Sequence, residues 1–144
     1  MVPSVPGQPI DHGAALSALR GVDTKLSTSL DLSDQAKRKI LLSCLQNCDA
    51  RLVEQVNVPL ELTDYMAHNI QVANGKGGEL VDAVRLVMID KDGTTYECVA
   101  DTLVQSLGSL MFAYGQPPWS PPLKVAVRST QKNTRNIYWF EPLG

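Results

Sequence analysis

Lys124, Arg128, Lys132 and Arg135 follow one another at intervals of four, four and three residues in KVAVRSTQKNTRNIYWF, and no acid interrupts the run as far as Phe140. Tyr138, Trp139 and Phe140 close it. Cations offset phosphate charge and aromatic rings stack on bases, so this mixture is the chemistry that holds single-stranded nucleic acid. The rest of the chain does not share it. With 13 Lys+Arg against 15 Asp+Glu, the net charge is -2. Bulk attraction to a duplex or a membrane surface is excluded, and any nucleic-acid binding must come from a local patch.

Other reactive side chains form no set. Cys44, Cys48 and Cys98 are odd in number, and the N-terminus lacks the basic and apolar regions of a secretion signal, so a disulfide framework is not expected. Cys44 and Cys48 lie one helical turn apart, but His12 and His68 stand in no ligand spacing with them. The cysteines read as buried apolar groups, with no metal. Asp90 and Asp92 flank a turn and suit hairpin chemistry. The loop Asn74-Gly75-Lys76-Gly77-Gly78 fits neither dinucleotide nor Walker spacing. No catalytic constellation and no cofactor site emerges. No apolar run is long enough to span a membrane, and a cytoplasmic location is expected, inside the host cell if the protein is viral.

The elements that must carry the basic run follow from periodicity. At 144 residues with 44% hydrophobic content, the chain is one domain's worth. Residues 1–10 read as a flexible tail and 14–20 as a short helix. Ser33 is a candidate N-cap for a helix whose apolar stripe is Ala36, Ile40, Leu41, Cys44, Leu45 and Cys48. Its basic run Lys37-Arg38-Lys39 reads as a solvated face. Residues 1–50 are thus a tail and helical extension, and 51–144 a separate barrel. Residues 51–58 are partly alternating, and Leu60–Val72 reads as one long bent strand. AVRLVMID and TTYECVA, joined through Asp92-Gly93, form a hairpin. Alternation puts Leu86 and Met88 on one face and Arg85 and Val87 on the other, the Arg85 face being solvated or turned to a partner. Asp101 caps a helix to Tyr114 with Leu103, Leu107, Leu110, Met111 and Tyr114 inward, stopped by Gly115. Trp119, in a proline-rich bend, reads as a plug over the core. Residues 123–129 form a strand, 129–136 a polar basic loop and 137–142 the last strand.

Strand, strand, strand, helix, strand, strand is the order of an OB-fold, a five-stranded Greek-key barrel with its helix between strands 3 and 4. The expected class is mainly β with helices. Such barrels bind oligonucleotides across strands 2 and 3, flanked by the loops joining strands 1–2 and 4–5. Here those loops are Asn74–Gly78 and Ser129–Asn136.

VDAVRLVMIDKDGTTYECVA, then SLGSLMFAYGQPPW, then PLKVAVRS resemble a family of bacteriophage and mobile-element single-stranded DNA-binding proteins, from about Leu60 to the C-terminus. The resemblance implies a non-enzymatic role with single-stranded DNA in phage or plasmid replication and recombination. The candidate contacts are Lys76, Arg85, Lys124, Arg128, Lys132 and Arg135, with Tyr138 and Trp139 as stacking candidates. In the last strand Tyr138 and Phe140 share one face and Ile137 and Trp139 the other, and the sequence leaves open which face is inside. RNA is an alternative ligand, because backbone and stacking contacts do not separate the two. A homo-oligomer built through the N-terminal helices is expected to add avidity. The rival reading is a protein-interaction OB domain in a replication or virion assembly complex.

Overall fold

The structure, a computed structural model, describes residues 26–73 and 77–144. Its elements are β1 (Leu26–Thr28), α1 (Gln35–Gln46), β2 (Ala50–Arg51), a single 3-10 turn (Leu52–Glu54), β3 (Pro59–Ala73), β4 (Leu80–Asp90), β5 (Thr95–Cys98), α2 (Asp101–Tyr114), β6 (Leu123–Lys132) and β7 (Arg135–Pro142). The long strand expected from Leu60 exists as β3. Residues 51–58 do not form a strand beyond Arg51: the chain turns once at 52–54 and reaches β3 through Asn57, at φ +67. The tail and the helix expected within residues 1–20 lie outside the described residues.

One curled, mixed sheet runs in the order β2-β5-β4-β3-β6-β7, with β1 paired to β3 off that path. β3 pairs with both β4 and β6, β4 with β5, and β6 with β7, all antiparallel. That is the neighbour order of an OB-like barrel left open as a half-barrel. α2 crosses the opening. The hydroxyls of Thr102 and Ser106 accept hydrogen bonds from the backbone N–H groups of Tyr138 (3.2 Å) and Phe140 (2.8 Å). Helix side chains thereby satisfy donors on the edge of β7 that a closing strand would otherwise take.

The concave side holds the larger core. Leu60, Leu62, Leu86, Met88, Cys98, Val125, Val127 and Phe140 meet Leu103, Leu107 and Leu110 of α2, and Trp119 seals them. Trp119 donates from Nε1 to the Gly115 carbonyl at 3.0 Å and from its backbone to Thr63 at 2.9 Å, as a plug should. The expected stripe of α2 holds for its three leucines, but Tyr114 is 52% exposed and Phe112 94% exposed. The helix has turned past the sheet by its last turn. Asp101 is not the cap either; Ala100 occupies that position and Asp101 lies in the first turn.

The convex side of β3 and β4 is also covered. Met66, Val87 and Ile89 pack with Leu30, Leu41 and Cys44 in a second core. The described residues 26–50 therefore do not form a helical extension set apart from the barrel. β1 adds to β3 through Leu26↔His68 and Thr28↔Met66, and α1 lies on the sheet. The cap of α1 is Asp34 rather than Ser33: its carboxylate accepts from the Ala36 N–H at 2.9 Å, while Ser33 bonds to Asp31. Burial keeps the enclosed thiols protonated, pushing Cys44 up to about 12 and Cys98 up to about 11. The Arg85 face, expected to be solvated or turned to a partner, is the one that α1 covers.

The β4–β5 hairpin forms as the Asp-Gly signal requires, with Gly93 at φ +82 and Asp90 accepting from the N–H groups of Asp92 and Thr94. The segment 129–136 differs from expectation. It is not a loop: β6 and β7 continue in register to Lys132↔Arg135, leaving only Asn133 and Thr134 as the turn. Both have positive φ, +51 and +68, as a type I′ hairpin turn demands. Asn tolerates this region, but a β-branched residue is strained there by about 1–2 kcal/mol. Thr134→Gly is expected to raise stability by up to about 1 kcal/mol after the entropy cost of glycine, read as a higher urea midpoint. A lower midpoint would count against the strained turn.

Candidate nucleic-acid interface

Strands present alternate residues on one face, and the β6–β7 register aligns two such sets. The concave set, Val125, Val127 and Phe140, enters the core, and Tyr138 packs against it. The convex set is Lys124, Ala126, Arg128, Thr130 and Lys132 on β6, facing Glu141, Trp139, Ile137 and Arg135 on β7. All four bases of the run thus share one face with Trp139. This settles the ambiguity of the last strand: Phe140 is 4% exposed and Tyr138 half-buried, whereas Trp139 is 37% exposed.

Three of the bases stand open. Lys124, Lys132 and Arg135 are exposed, and among the described residues none of them forms an ion pair. Lys132 and Arg135 are direct cross-strand partners. Like charges placed so repel, and an anion between them relieves the repulsion. Arg128, opposite Trp139, is instead engaged. Its Nε pairs with the Glu141 carboxylate, and its Nη1 donates to Asn57 Oδ1 at 2.6 Å. Sequence reasoning misses both partners. Glu141 lies one residue beyond the acid-free run, and continuing the hairpin register would reveal it. Asn57 is 71 positions from Arg128, and no local signal links them.

The other candidates divide differently. Lys76 lies outside the described residues. Arg85 does not join the basic face. Its guanidinium pairs with Glu97 at 2.5 Å, donates to the Cys44 carbonyl at 2.6 Å and to Cys48 Sγ at 3.2 Å, and lies 3.3 Å from His68 Nε2. Its side chain is only 16% exposed. It fastens the end of α1 to β4 and β5. The strand 2 position expected for a contact is filled by the protein's own helix.

Two long ribbons extend from the sheet. β3 pairs with β6 over Pro59–Leu62 and runs on with β4 to Ala73↔Leu80, while β6 continues past Pro59 the other way with β7. The β3–β4 ribbon ends on the exposed apolar side chains Leu80 and Val81; the β6–β7 ribbon ends on Lys132 and Arg135. Among the described residues, only the second concentrates positive charge. Among the described residues no group of His, Cys, Asp or Glu has the arrangement of a metal site, and no helix is long and apolar enough to cross a membrane.

No curated protein and no solved structure matches the chain. The family described as phage single-stranded DNA-binding protein does, over residues 26–139. The match begins at β1, well before Leu60, and so takes in α1 and the second core as well as the barrel. It ends at Trp139, the aromatic residue of the basic face. The chain belongs to the phage single-stranded DNA-binding protein family.

Proposed function

We propose that this protein binds single-stranded DNA along the convex face of the β6–β7 ribbon, with Lys124, Arg128, Lys132 and Arg135 meeting phosphates and Trp139 stacking a base. The observation that carries this reading is the gathering of four bases and one exposed ring on a single strand face of an acidic protein, with Lys132 and Arg135 opposed and, among the described residues, in no ion pair. Family membership supports the ligand. The contacts reach backbone and ring faces, so binding has little sequence preference. Its place is in phage or plasmid replication and recombination, in the cytoplasm of the cell where exposed strands need covering, and several copies acting together would add avidity.

Binding to a fluorescent DNA of about 30 nucleotides, a span that exceeds one barrel's site, tests the reading beside the matching duplex and RNA. Four phosphate contacts on a single strand give a slope of log K against log[salt] of about -3. Lys132→Gln with Arg135→Gln is expected to reduce that slope by about 1.4. A flat wild-type slope, or equal preference for the duplex, would reject the proposed face.

A protein partner is the second reading, and it is favoured by Phe112 and Tyr114, exposed on the final turn of α2. A folded protein that binds none of the three nucleic acids would move the assignment there.

A further inference from the structure

Arg128 sits at the middle of the basic face, yet among the described residues it is the one base there that is held in an ion pair. The occupant is unusual for its surroundings. Glu141 is the sole acid in the convex set formed by β6 and β7 from Lys124 to Lys132 and from Arg135 to Glu141. Its carboxylate meets Arg128 Nε, and a guanidinium donates to carboxylate and phosphate with the same planar fork. The pair is at the surface, with side chains 32% and 50% exposed, so it is weak and exchangeable.

The other side of the guanidinium is held differently. Asn57 accepts from Nη1 at 2.6 Å and is itself fixed by its backbone N–H to the Val127 carbonyl at 2.8 Å. It occupies the left-handed region at φ +67, which Asn tolerates better than most residues. Asn57 is neutral, so it orients Arg128 without cancelling its charge.

We propose that Glu141 stands in for a DNA phosphate in the free protein, closing Arg128 until a strand already held by Lys132, Arg135 and Trp139 brings a phosphate to displace it, while Asn57 keeps the guanidinium aimed. This inference rests on the single-strand reading above. Small anions compete poorly with a tethered carboxylate, whereas a strand anchored at the ribbon tip presents its next phosphate at high effective concentration. Glu141 thus makes Arg128 a late contact that responds to a chain of phosphates rather than to an isolated one.

The test is a mutant cycle on the full chain, with single-stranded DNA binding measured at about 50 mM salt, where electrostatic differences are largest. Glu141→Gln is expected to bind about 2- to 5-fold more tightly than wild type, the range that an exposed ion pair spans. In an Arg128→Gln background the same substitution is expected to give a clearly smaller gain, the part left by removing one negative charge from the face, because Glu141 then has no base to close. Asn57→Gly, which keeps the left-handed backbone but removes the acceptor, is expected to weaken binding by a similar factor. Melting curves confirm that each variant is folded. Wild-type affinity in folded Glu141→Gln, or a gain that is undiminished without Arg128, would overturn the surrogate role and leave the single-strand reading standing. Unchanged binding by folded Asn57→Gly would overturn the aiming role. Salt-insensitive or absent binding by the wild type would overturn the single-strand reading itself, and this inference with it.

Discussion

Trp139→Ala is expected to weaken single-strand binding by about 5- to 150-fold, the range set by roughly 1–3 kcal/mol of stacking per base. The slope against salt should not change, because no phosphate contact is removed. Separating affinity from slope distinguishes the ring from its basic neighbours. The protein provides its own probe. Of its two tryptophans, Trp119 is 7% exposed and plugs the core, whereas Trp139 lies open on the convex face. Quenching of fluorescence on adding DNA should therefore come from Trp139 and vanish in the variant. Trp139→Phe should keep part of the affinity. Unaltered affinity in Trp139→Ala would remove stacking at this ring from the mechanism.

Arg85→Leu is expected to have the opposite profile: a loss of about 2–3 kcal/mol in stability, with the salt slope of binding preserved. Hydrogen bonds to a charged group contribute about 1.5–3 kcal/mol, and Arg85 gathers Glu97, the Cys44 carbonyl and Cys48 around one largely buried head. Urea unfolding reads the loss directly. The pair also predicts a pH dependence. The hydrogen bond from Arg85 holds the Glu97 carboxyl below its ordinary 4.5. A carboxyl depressed by folding contributes its stability in full above its unfolded value, and the contribution fades as pH falls through the lower folded value. The acid limb of wild-type stability, below about 4.5, should therefore be shallower in Arg85→Leu, which has no such contribution to lose. A flatter salt slope in the variant would instead return Arg85 to the DNA contacts.

How much of the fold and the basic face is legible in the sequence depends on the range of each signal. Strong local signals are legible. Asp92-Gly93 marks the β4–β5 hairpin, the leucine spacing marks α2, and the strand order marks the OB-like arrangement. The unbroken basic run marks Lys124, Arg128, Lys132 and Arg135 by composition alone. Segment 129–136 reads wrongly as a loop because its composition is polar and basic, while a hairpin turn needs only Asn133 and Thr134. The choice between Tyr138 and Trp139 is not legible, because strand periodicity defines two faces without saying which is inside. Arg85 is misplaced for a related reason. Alternation puts it correctly on the face away from Leu86 and Met88, but nothing local tells that α1, about 40 residues earlier, covers that face. Asn57 and Glu141 acquire meaning only through tertiary contact with Arg128.

The hydroxyls of Thr102 and Ser106 along β7 have a consequence for crowding. Proteins that coat one strand stand shoulder to shoulder, at a local concentration far above that of the surrounding solution. A bare β edge under those conditions is a template for fusion with the next molecule's sheet. Because α2 bonds the N–H groups of Tyr138 and Phe140 from within the same chain, that stretch of edge is already spoken for. On the single-strand reading proposed above, copies lined up on one strand would then approach closely without fusing along this stretch of edge.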